Sequence, residues 1–175
     1  NNHWTSFAKI RPEELRDVCD LDINNSLRVQ CRVHNYFMTG FVFTGDALIC
    51  DGVNLLKVVE REGTPLYGYS ANLITKRYRA LDEAVGEYPH RIHYALKANS
   101  TLGLVRLLSR IGSAFDANSW GEISVACRAS VPPNDIVFTG VGKTDAELTQ
   151  AVGLGIQAIN AESIGEVTRI NQIAL

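Results

Sequence analysis

"RIHYALKANSTLGLVRLLSRIGSAFDAN", residues 91–118, reads as one complete strand–helix unit followed by the next strand. Ile92, Tyr94 and Leu96 are strand-forming or apolar, and Ala95 is small enough to pack on either face. Lys97 then interrupts, and Asn99 and Ser100 bring turn and helix-cap chemistry. Leu104, Leu107, Leu108 and Ile111 recur at helical spacing, and Gly112 follows as a helix stop. "SAFDAN" returns to the strand pattern.

The alternation continues downstream with "DIVFTG" (135–140) and "IQAIN" (156–160). The central residues Tyr94, Asp116, Phe138 and Asn160 are 22 apart each time. Thr144 with Glu147, and Ser163 with Glu166, have capping-box spacing at the starts of the intervening helices. Upstream, "NLITKRYRALDEAVGEY" (72–88) sets Ile74, Tyr78, Leu81, Val85 and Tyr88 at helical spacing. Strands alternating with helices at one short period imply consecutive βα units and a parallel sheet. A period this short fits a TIM-type (β/α)8 barrel better than an open doubly wound sheet. A barrel needs eight units in roughly 250 residues, and about four are present, so the expected fold is the first half of a barrel.

Composition bounds the function. The 175 residues are 46% hydrophobic with a formal charge of −2, which gives no electrostatic reason to expect nucleic acid or an anionic membrane. No apolar run approaches the roughly 20 residues of a membrane span, and no signal peptide opens the chain. The four cysteines, Cys19, Cys31, Cys50 and Cys127, are scattered without ligand spacing, so no metal site is expected and a reduced, cytoplasmic setting is. Met38 is the only methionine, and the chain closes inside the apolar helical pattern "TRINQIAL". It reads as part of a longer protein.

In parallel α/β folds the site gathers at the carboxyl ends of the strands. There the sequence puts Lys97, then Asp116 and Ser119, then Gly140 and Gly142, then Glu162 and Ser163. A partly desolvated lysine amine is a nucleophile of the kind that condenses with carbonyls. A surface lysine closing a strand satisfies the same pattern, and spacing alone leaves both open. "GVGKT" imitates the end of a phosphate loop, but Val137 stands where that loop needs glycine, so a βα turn capped by Thr144 is the better reading. His90 and His93, three apart on an extended segment, fall on opposite faces and do not share a metal.

"YALKAN" resembles the lysine motif of the fold-type III pyridoxal-phosphate enzymes, the alanine racemase and ornithine decarboxylase group. The order "GTPLYGYS", "AFDANSWGEISVA", "DIVFTGVGKTDAELTQAVGLGI" and "INAESIGEV" resembles the diaminopimelate decarboxylase branch, over roughly residues 41–175. "KANSTLG" lacks the longer "KANAYGHG" expected of a racemase. The resemblance implies an alanine racemase-like barrel over 71–175, a strand-rich lead-in at 39–70 belonging to a β domain, and an extension at 1–38. It implies pyridoxal phosphate as cofactor, with Lys97 as its Schiff-base lysine. Asp116 and Glu122 match positions near that lysine, and the resemblance implies that they line the cofactor site, orient the lysine and set the local charge; Glu122 reads equally as a solvated first-turn carboxylate favoured by the helix dipole.

The implied reaction is decarboxylation of meso-diaminopimelate to L-lysine by a homodimer of the intact protein. A related ornithine or arginine decarboxylase, or an incomplete half-barrel serving only as a binding module, are the alternatives. Two departures stand out. Trp120 replaces a usual glycine before Glu122. The family's phosphate-binding loop, pyridine-nitrogen carboxylate and substrate arginines belong to later segments.

Overall fold

The structure, a computed structural model of the chain, describes residues 40–175. The extension read at 1–38 lies outside the described residues. Of the rest, residues 40–81 fall in one compact unit and Asp82–Leu175 in another.

The first unit is built on hairpins. β1 (Phe41–Thr44), β2 (Ala47–Cys50) and β3 (Val53–Asn54) form an antiparallel sheet in that order. Asp51 and Gly52, both at positive φ, make the two-residue turn between β2 and β3, the backbone a twisted hairpin requires. The Asp51 carboxylate accepts from the Ser70 hydroxyl at 2.7 Å and from the Asn72 amide at 3.0 Å. Ser70 Oγ in turn accepts from Leu73 N at 3.0 Å, so one turn aspartate anchors the start of the helix that follows. Helix α1 (Leu55–Glu62), capped by Asn54, sits inside the segment read as strand-rich. The next helix, α2 (Ala71–Val85), forms where its spacing predicts. It stops at Val85, short of Tyr88, and its apolar stripe is open at Leu81 and Val85. Periodicity specifies a face, not the element that covers it.

The second unit carries the predicted alternation: β4 (His93–Ala95), α3 (Leu102–Arg110), β5 (Ala114–Ala117), α4 (Trp120–Arg128), β6 (Ile136–Phe138), α5 (Asp145–Leu154), β7 (Ala158–Ile159) and α6 (Ile164–Ala174). The strands are parallel and ordered β4-β5-β6-β7. This is the expected half barrel.

The register explains why the pattern favours a barrel. Tyr94 lies opposite Phe115, and Phe115 opposite Ile136, a lateral step of 21 residues, whereas the sequence repeats every 22. Equivalent positions therefore climb one residue per strand. Eight such steps accumulate the shear of eight that closes an eight-stranded barrel.

The two faces differ sharply. Phe115, Ala117, Ile136 and Phe138 alternate onto one face and are fully buried, with Ile123 and Ala126 of α4 and Val105 and Leu108 of α3 in the same core. The opposite face carries Asp116, Val137 and, two residues further on, Thr139, all half-buried. Helices thus cover one side of the sheet, and the other side stays accessible with polar groups at its carboxyl ends. Among the described residues no helix is long and apolar enough to cross a membrane.

Candidate active site

Lys97 sits at the carboxyl end of β4, in a 3-10 turn spanning Leu96–Ala98. Leu96 is fully buried and pins the turn to the core. The Tyr94 hydroxyl donates to Asn99 O at 3.1 Å, and Asn99 Oδ1 accepts from Thr101 N at 2.9 Å just before α3. The Tyr94 ring packs edge-on against Phe115, with centroids 6.4 Å apart. The backbone on both sides of Lys97 is therefore fixed, while its side chain is exposed. No hydrogen bond or ion pair among the described residues engages its amine. The turn holds a free amine at a strand end, which is what a carbonyl-condensing lysine requires.

Asp116 lies on β5 opposite Ala95, two residues before Lys97. Its carboxylate is not on the lysine: it accepts the Thr139 hydroxyl proton from the end of β6. Asn160 Nδ2, beyond β7, donates to the same Thr139 oxygen at 2.9 Å. The 22-residue repeat marks Asp116 and Asn160, and Thr139, which has no place in that repeat, joins them.

Glu122, on the first turn of α4, folds back on its own loop. Its Oε2 accepts from Asn118 N at 2.7 Å, while Ser119 Oγ accepts from Glu122 N at 3.3 Å. Glu166 repeats the arrangement one strand pair later, accepting from Glu162 N at 2.8 Å and donating its own amide to Ser163 Oγ at 3.1 Å. The expected capping box forms in full only at Thr144 and Glu147. At Ser163 the carboxylate is drawn one residue further, where it also meets Lys143.

Trp120, the bulky departure, is half-buried at the first position of α4, and its amide donates to Glu147 Oε1 at 3.2 Å. With the Thr144 bonds, that donor lowers the Glu147 pKa below its usual 4.5. That cap uses the main-chain amide, not the indole.

The βα turn capped by Thr144 forms as read. What the sequence did not show is that Lys143, within that turn, is a buried strut. Its Nζ donates to Gly140 O at 2.6 Å, Asn160 O at 2.8 Å and Glu166 Oε2 at 3.1 Å, which uses all three protons. Its side chain also passes over the Phe138 ring, 5.6 Å from the centroid. Arg169 adds bonds to Lys143 O and to Asp145 Oδ1, tying α6 to the same loop.

Two features mark strain at this rim. Asn118 Nδ2 is the buried side-chain polar atom without a partner among the described residues, a cost of about 1–3 kcal/mol. Gly140 has φ +108, and a Cβ there would lie 2.9 Å from Asn118 O. Gly140→Ala is expected to lower the unfolding free energy by about 2 kcal/mol or more, since both backbone angle and space oppose it. Urea denaturation of wild type and variant measures this.

Comparison with known proteins identifies relatives of the chain. Residues 71–175 match the family described as pyridoxal-dependent decarboxylase, pyridoxal binding domain. The diaminopimelate decarboxylase of Vibrio cholerae is 44% identical over 127 residues, 73% of this chain and 30% of that protein. Its counterpart in Pseudomonas aeruginosa is 39% identical over 137 residues, 78% of this chain and 33% of that protein. The diaminopimelate decarboxylase of M. jannaschii, solved with L-lysine, superimposes with a TM-score of 0.72 at 32% identity, over 78% of this chain and 33% of that one. The chain thus spans about a third of the length of the curated relatives it matches.

Proposed function

This chain belongs to the pyridoxal-dependent decarboxylase family, and we propose that the protein decarboxylates meso-diaminopimelate to L-lysine, with this chain contributing the lysine half of the site. The observation that carries the reading is the unengaged Lys97 amine, held on a fixed backbone at the carboxyl end of β4. The resemblance to diaminopimelate decarboxylases, at up to 44% identity, favours that substrate over ornithine or arginine.

The residues present fit the aldehyde end of pyridoxal phosphate: a free primary amine at a strand end, with a carboxylate on the adjacent strand. When bound, that cofactor supplies the electron sink that decarboxylation needs. Lys97 is the residue that would hold it covalently. Asp116 lies on the neighbouring strand and supplies negative charge at the rim. Glu122 acts one step back, as the carboxylate that fixes the β5–α4 turn through Asn118 N. Within the proposal, residues 39–70 belong with a β domain and 71–175 with the cofactor-binding barrel. The intact protein works in the cytoplasm as a homodimer on a small amino acid, a reading supported by the family resemblance.

The test is chemical mapping. Add pyridoxal phosphate to the protein, reduce with borohydride, and sequence the labelled peptides. The reading predicts the label on Lys97 and none on the buried, fully bonded Lys143. Label spread over the exposed lysines would reduce Lys97 to an ordinary strand-end residue.

A further inference from the structure

Asp116, Thr139 and Asn160 sit at the ends of three consecutive strands and form a chain of hydrogen bonds with one allowed direction. An amide nitrogen only donates, so Asn160 Nδ2 occupies a lone pair of Thr139 Oγ1. The single hydroxyl proton of Thr139 is then free to go to Asp116, whose carboxyl oxygen accepts it. Asn160 is itself held at both main-chain atoms. Its amide donates to Phe138 O at 2.9 Å, and its carbonyl accepts from buried Lys143 at 2.8 Å. The chain is anchored at the Asn160 end, and its far end is Asp116.

That far end matters because of what it leaves alone. Asp116 is opposite Ala95, the last residue of β4, and Lys97 follows two residues on in the 3-10 turn. A carboxylate free to turn would reach for that ammonium and commit it to an ion pair, in which the amine stays protonated and unreactive. No ion pair joins the two side chains. We propose that Thr139 is a positioning residue whose hydroxyl, directed by Asn160, holds the Asp116 carboxylate away from Lys97 and so keeps that amine available.

The inference rests on the reading of Lys97 as the reactive lysine, but its test does not use the cofactor. Competitive acetylation with acetic anhydride, read by peptide mass across pH 7 to 10, reports the reactivity of each lysine in the intact protein. Thr139→Val keeps the shape and removes the hydroxyl. It should slow acetylation of Lys97 about tenfold and leave Lys57 and Lys76 unchanged as internal references.

Thr139→Ser should restore the wild-type rate. Thr139→Val combined with Asp116→Asn should restore it too, because no carboxylate is left to capture the amine. Asn160→Ala, at an exposed position, should act in the same direction by a smaller factor, and serves if Thr139→Val does not fold. An unchanged Lys97 rate in Thr139→Val, or a double variant as slow as the single one, overturns the proposal. Failure of pyridoxal phosphate to label Lys97, with these acetylation rates as expected, would instead overturn the functional reading alone.

Discussion

Lys97→Ala is expected to reduce covalent pyridoxal phosphate attachment to background in the intact protein, with little change in folding. The substitution removes an exposed side chain that makes no bond among the described residues, so its stability cost should stay within about 0.5 kcal/mol. The supports of the turn remain: buried Leu96, the Tyr94–Asn99 bond and the Asn99 cap on Thr101. The measurement is the visible absorbance of the cofactor-loaded protein, together with the mass of the borohydride-reduced peptide. Retained absorbance and a labelled peptide elsewhere would move the cofactor-holding role to another lysine. Lys143 is a poor candidate, since using its amine would first require breaking three hydrogen bonds and exposing a buried charge.

The second large effect is on stability and concerns that same strut. Lys143 and Glu166 are 3% and 4% exposed, and each satisfies the other together with main-chain groups from two loops and a helix start. Removing either partner alone, as in Lys143→Met or Glu166→Leu, strands a buried charge and should cost about 3–5 kcal/mol. Replacing both together should cost much less, because the desolvation of two ions disappears with their attraction. Denaturant titrations of the two single variants and the double variant form the cycle. A double variant as unstable as the sum of the singles would mean the two side chains act independently, each through its own main-chain bonds and packing.

Acid should act on the same element. Glu166 is held below its usual 4.5, first by the Glu162 amide and also by Lys143 and Arg169. A carboxylate with a lowered folded pKa contributes stability that is present above its unfolded value. That contribution is lost as the pH falls from 4.5 through the lowered folded value.

Much of the architecture is legible in local sequence pattern. The helix α3, the strand around Asp116 and the Thr144–Glu147 cap all follow from local pattern, because periodicity and capping are properties of a few neighbouring residues. Lys97 was also legible, as a polar break at the end of an apolar strand. Lys143 was not. Its sequence neighbourhood, "GVGKT", describes a turn, and nothing local reports that Glu166 will arrive from 23 residues away to bury with it. Thr139 was missed for the same reason: a threonine after a strand is commonplace until Asp116 and Asn160 close on it from adjacent strands. The α2 stripe shows the converse, an apolar face correctly placed on a helix but still open at Leu81 and Val85.

The sequence by itself determined the units, their order and their repeat, since these depend on side-chain alternation along single segments. The 22-residue repeat even carried the barrel stagger, once set against a 21-residue register that only strand pairing supplies. Tertiary structure alone decided where each polar group spends its hydrogen bonds: Asp116 on Thr139 and not on Lys97, Glu122 on its own turn, Lys143 inside. Those choices depend on which donor and acceptor meet across strands at about 3 Å, a distance that depends on the fold and leaves no periodic trace in the chain.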